Sequence, residues 1–233
     1  MTLPDLAMQS IYARLAWGLV LAAVLLGAST RWSSRRGALS RTALLMLGGA
    51  ALAVMWLPGP ASPAFWLGLV FSYPSAMLVA CCAVNIGLYW GRSGMPLNVF
   101  GDSASVPVAG PAPVLNAALA TTLAIGGSVL YADAAGWLAL QIYARGFETP
   151  FVPAAALAIG AIAVWAIRSP AHRPTGAALL ACVMAFTVAR LPSGNLFDAL
   201  LDPMMWCWAV GVALRALRAR LRPSTVPAGS QPV

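Results

Sequence analysis

Seven apolar runs separated by short polar connectors dominate the chain, at about 12–28, 42–57, 64–90, 114–131, 151–167, 176–191 and 204–217. A bilayer crossing takes about 20 mostly apolar residues when helical. Lipid offers no partner for an exposed peptide group, so such runs have to close their hydrogen bonds within helices. Composition agrees: 61% of the 233 residues are apolar and 9% charged, against about 45–50% and about 25% in a soluble domain. The expected fold is all-α, a polytopic helical membrane protein with about seven transmembrane helices in one domain over 1–222, followed by a disordered tail at 223–233.

The first run is short and ends in small residues, as a secretory signal does. Its flanks argue for an uncleaved span, because Asp5 and a single Arg14 make a poor positive leader whereas Arg31, Arg35, Arg36 and Arg41 follow it. All 14 basic residues are arginine. With the N-terminus outside and the C-terminus inside, eleven of them fall in inner segments, and Arg14, Arg145 and Arg190 fall outside. That asymmetry is the positive-inside signature. Abundant arginine and alanine with no lysine suit a GC-rich bacterial gene, which makes the inner membrane the expected location. The basic residues sit in connectors and line no single face, so the partners expected are the lipid bilayer and other membrane proteins, with no nucleic acid.

The missing residues exclude activities. Without lysine there is no amine for a retinal Schiff base. The single histidine, His172, lies between Pro170 and Pro174 in a connector, away from where haem ligation, a zinc site or a serine triad within the membrane needs imidazole. Cys81, Cys82, Cys182 and Cys207 form no CxxC pair and fall in no predicted oxidising loop, so no disulfide is expected. Neither a metal nor a cofactor is implied. The motifs of intramembrane aspartyl proteases and CDP-alcohol phosphotransferases are not matched, and Asn195-x-x-Asp198 is only a fragment of the lipoprotein signal peptidase pattern. An enzyme is the least favoured class.

Two regions hold candidate functional residues. The third run covers roughly 40 Å at 1.5 Å per residue, more than the hydrocarbon core of about 30 Å, and Pro74 lies within it. Proline cannot donate a backbone hydrogen bond and leaves the Val70 carbonyl without its usual partner, so this helix is expected to tilt, kink or break near Tyr73. Tyr73, Pro74 and Asn85 form the candidate break, with Pro74, Leu78, Cys81 and Asn85 at helical spacing on one face. Such a break marks a solute site in some transporters. Kinking a helix and bonding it to a neighbour is the favoured reading here.

The second region is an outer polar cluster comprising Asp133, Arg145, Glu148, Arg190, Asn195, Asp198 and Asp202. If the leader to the last span is helical, Asn195, Asp198 and Asp202 share a face, where they can orient a sugar hydroxyl or a divalent cation. The structural readings are an Arg190–Asp198 pair, which avoids an unpaired charge at the membrane boundary, and Asp202 as N-cap ahead of Pro203. Residues 136–145, which carry Trp137 and Tyr143, are expected to form a helix lying in the interface.

Spans one to three and five to seven repeat the same order of connectors around span four. This 3+1+3 plan, N-terminus out and C-terminus in, resembles the topology of SWEET-type sugar transporters. The resemblance implies small-solute transport, although those proteins carry prolines in four repeat-related helices and only Pro74 is a clear mid-helix proline here. The leading expectation is an accessory component of a bacterial envelope process without intrinsic catalysis, and a small-solute transporter is the alternative.

Overall fold

The computed structural model describes residues 5–32, 40–92 and 114–221. The tail at 223–233 and most of the 91–113 connector lie outside the described residues. Those that are described form ten α-helices and one 3₁₀ turn, with no strand among them. The helices are α1 (Leu6–Trp32), α2 (Arg41–Met55), α3 (Pro63–Phe71), α4 (Ala76–Arg92), α5 (Ala117–Ala134), α6 (Ile142–Arg145), α7 (Phe151–Arg168), α8 (Arg173–Ala189), α9 (Leu196–Leu200) and α10 (Pro203–Leu221). Three stretches are long and apolar enough to cross a membrane: Leu6–Ser29, Ala117–Ala134 and Phe151–Arg168. Helices α2, α4 and α8 are apolar but shorter.

Side chains at the helix starts explain the boundaries. Ser40 accepts the Ala43 amide to open α2, and Ser62 accepts that of Ala64 ahead of Pro63 at the first turn of α3. Asn116 does the same for α5 through Leu119, at 2.8 Å. Each satisfies an amide that the helix cannot bond internally.

The core is built around α4 and α8, which pack on each other; α1 covers the other side of α4, α2 lies along α1, and α7 lies along α8. Cys81, Met77, Cys182 and Phe186 fill the α4–α8 seam and are fully buried. All four cysteines are free thiols, Cys207 alone being exposed. Helix α10 packs along α5 and not along α7, whereas α1 packs along α4. The two triplets of the sequence pattern are therefore not packed alike.

Close helix approach has a local cause at Gly176, where a Cβ would lie 2.7 Å from the Ala163 carbonyl oxygen of α7. Aromatic contacts mark both ends of the bundle. Arg14 stacks over Trp56 at one end, and Arg41 over Trp90 at the other.

One expectation is narrowed and one is corrected. Of the tilt, kink or break expected near Tyr73, the structure has the break: α3 stops at Phe71, Ser72 adopts φ 60°, and α4 begins at Ala76. The interfacial helix expected over 136–145 is reduced to the single turn of α6. Gly136 and Gln141 both take positive φ, and the Asp133 carboxylate captures the amides of Leu140, Gln141 and Tyr143, which holds that stretch as a loop.

Candidate functional site

The α3–α4 break leaves peptide groups that a continuous helix would have paired. Tyr12 of α1 donates its hydroxyl to the Pro74 carbonyl at 2.8 Å. Ser75 accepts the Leu78 amide and so caps α4. The Ser75 amide itself donates to Asp202 Oδ2 at 2.5 Å. Pro74 and Ser75 are fully buried, so these bonds are made away from solvent.

Asp202 is only 8% exposed, and its other oxygen, Oδ1, accepts the Met205 amide at 2.7 Å. One carboxylate thus sits at the N-terminal ends of α4 and α10 together. Both ends carry partial positive charge, which favours an anion there. The expected N-cap role of Asp202 is found, with a second partner that its position before Pro203 does not reveal.

Asp198 is held differently. The Tyr143 hydroxyl donates to both of its oxygens, at 3.0 and 2.9 Å, and Ser193 donates to Oδ2 at 2.5 Å. Burial, then the charge of Asp198 and the hydrogen bond to it, push the Tyr143 phenol up to about 12.

Asn195 is fully buried and reaches two elements. Its Oδ1 accepts the Phe197 amide to open α9, and its Nδ2 donates to the Tyr143 carbonyl at 3.1 Å. The Leu196 amide adds a bond to the Gly146 carbonyl. Only glycine fits at 146, because a Cβ there would collide with Asn195 Oδ1.

Of these groups, Tyr143, Ser193, Asp198 and Asp202 border a cleft of about 430 Å³ between the end of α3, the end of α5 and the 192–203 segment. Its lining residues with polar side chains are Ser72, Tyr73, Tyr131, Tyr143, Ser193, Asp198 and Asp202, and no arginine stands among its described lining residues. The Tyr131 hydroxyl is buried and has no hydrogen-bond partner among the described residues; its ring meets Trp206 edge to face.

The remaining candidates are dispersed. Arg190 does not pair with Asp198; its guanidinium lies 5.1 Å from the centre of the Phe186 ring, while Asp198 takes its donors from Tyr143 and Ser193. The αL conformation of Arg190, which ends α8, accompanies that orientation over the preceding turn. The shared helical face proposed for Asn195, Asp198 and Asp202 is also corrected. Helix α9 covers only 196–200, and Leu201 is extended before Asp202, so the two carboxylates reach the cleft from separate elements. Asp133 organises its own loop, and Arg145 and Glu148 are exposed on α6 and the segment after it. On α4, Leu78 and Cys81 are buried as their spacing predicts, whereas Asn85 is exposed.

Three tyrosine hydroxyls were missed in the sequence, although Tyr73 was among the candidates. Tyr12, Tyr131 and Tyr143 stand near the ends of apolar runs, where an aromatic residue reads as a membrane-interface anchor, and that signal conceals a hydroxyl used for bonding. No family model matches the chain, and no curated protein or solved structure is significantly similar to it.

Proposed function

We propose that the chain is a bacterial inner-membrane protein crossing the bilayer seven times, with its N-terminus outside and C-terminus inside, and that it serves as a non-catalytic accessory component of an envelope process. The observation that carries this reading is the use of the two cleft carboxylates and of Asp133 in its loop. Asp202 caps two helices, Asp198 binds Tyr143 and Ser193, and Asp133 binds three loop amides. Groups committed to holding helix ends together are poorly disposed to act as acid, base or ligand. Crossing by the first three runs draws support from the contacts at opposite ends of α2, Arg14 with Trp56 and Arg41 with Trp90, that by the fourth and fifth from the length and apolarity of α5 and α7, and the orientation from the arginine asymmetry.

Alkaline phosphatase fused after Phe147 or Asn195 should be active, and fused after Ser40 or Arg220 inactive. Activity at Ser40 would overturn the orientation. For function, the pure protein reconstituted in liposomes should move no solute, while crosslinking in intact membranes should capture a protein partner. Solute uptake by the pure protein would instead establish the second reading, a small-solute transporter, which the cleft beside the broken α3–α4 helix favours.

A further inference from the structure

A groove of about 910 Å³ runs along the seam between α7 and α8, and its lining is almost wholly apolar. On α7 it is formed by residues three or four apart, from Pro153 through Leu157, Gly160 and Val164 to Arg168, which is one face of a helix. From Pro153 to Arg168 the rise is roughly 22 Å. One leaflet contributes only about 15 Å of hydrocarbon, so an acyl chain fits within the groove along its whole length. Gly160 opens its floor, since nothing lies within 4 Å of where its Cβ would be.

The charge is confined to one end. Arg168 closes α7, is exposed, and its guanidinium has no hydrogen-bond partner among the described residues. Helix α8 begins five residues later at Arg173, whose guanidinium donates to the Ile167 carbonyl at 3.4 Å and so adds positive charge at that end. Trp165, one turn before Arg168, is exposed beside it, an arrangement suited to the headgroup boundary.

We propose that this groove is a binding site for an anionic phospholipid, with an acyl chain along α7 and α8 and the headgroup phosphate on Arg168. A guanidinium binds phosphate with two parallel hydrogen bonds, while the groove contributes the apolar contact. The assignment rests on the membrane reading above and adds to it a lipid class and a place.

The test titrates the purified full chain, in detergent micelles, with phosphatidylglycerol or with phosphatidylcholine of the same acyl chains, and counts bound lipid by native mass spectrometry. The wild type should bind phosphatidylglycerol more tightly. Arg168→Gln should weaken that binding roughly fivefold, the effect of one basic residue at an anionic headgroup, and leave phosphatidylcholine unchanged. Gly160→Leu should weaken both, because its side chain occupies the floor of the groove. Arg168 is exposed, so Arg168→Gln carries the test alone if the glycine variant fails to fold. Phosphatidylglycerol binding unaltered by Arg168→Gln would overturn the proposal, as would a change confined to a monomer–dimer equilibrium, which would make a second copy the occupant. Recovery of the wild-type chain outside the membrane fraction after an alkaline wash would instead refute the membrane reading itself.

Discussion

Ser75 and Asp202, 127 residues apart in the chain, are joined by a buried hydrogen bond from the Ser75 amide to the Asp202 carboxylate. Through it the break in the third apolar run is fastened to the start of α10. The same carboxylate caps α10 itself through Met205, so two helix starts depend on one side chain.

Asp202→Asn is therefore more harmful than a simple N-cap exchange. Asparagine keeps one acceptor for Met205 and turns its amide donors towards the Ser75 N–H, which leaves a buried donor unsatisfied. The expected cost is about 1–3 kcal/mol, read as a lower melting temperature in detergent. A melting temperature equal to that of the wild type would show that the Ser75 bond contributes nothing.

Tyr143→Phe removes the phenol that binds Asp198. Because Tyr143 is partly exposed, the loss should be about 1 kcal/mol, below the usual range for a bond to a charged group. A raised phenol pKa means that above the ordinary value the unfolded chain releases a proton that the folded chain keeps. The contribution is then fully present below pH 10 and is lost as pH rises through about 12. Melting curves at pH 9 and pH 12 should show the difference between wild type and Tyr143→Phe narrowing at the higher pH.

Arg190 and Asp198 should behave as independent residues. With Arg190 over the Phe186 ring and Asp198 bonded to Tyr143 and Ser193, the exchange Arg190→Asp with Asp198→Arg should not rescue either single variant. A double-mutant cycle is expected to give a coupling below about 0.5 kcal/mol; recovery of stability in the double variant would establish an ion pair.

Gly146→Ala should destabilise the outer loops through sterics alone, since φ at this residue is −62° and suits any L-residue. The added methyl displaces Asn195 from the α9 cap, at an expected cost of about 1–3 kcal/mol. Protease accessibility of the 192–203 segment should rise in parallel, and an unchanged digestion pattern would contradict this account.

The all-helical character was legible in the apolar runs because burying peptide groups in lipid leaves few alternatives. Pro74 announced an interruption, and Asp202 before Pro203 announced a helix start. The meeting of those two features was not legible. Periodicity records which face of a helix is apolar, and nothing in it says which helix end lies against which. The same gap explains Arg190 and Asp198, which charge alone pairs in the sequence and which the Phe186 ring and the Tyr143 hydroxyl separate in the fold. The 136–145 segment was misread because its aromatic residues suggested a membrane-surface helix, while the decisive influence was Asp133 accepting three amides from it.

The bond between Ser75 and Asp202 also sets a schedule for biogenesis. At about 5–20 residues per second, the ribosome makes Asp202 roughly 6–25 s after Ser75. Until then the Ser75 amide sits at a helix break with its final acceptor not yet synthesised, in surroundings that penalise an unpaired peptide group. A nascent chain released before α10 would keep that vacancy, and it is the form on which membrane quality control has a physical reason to act.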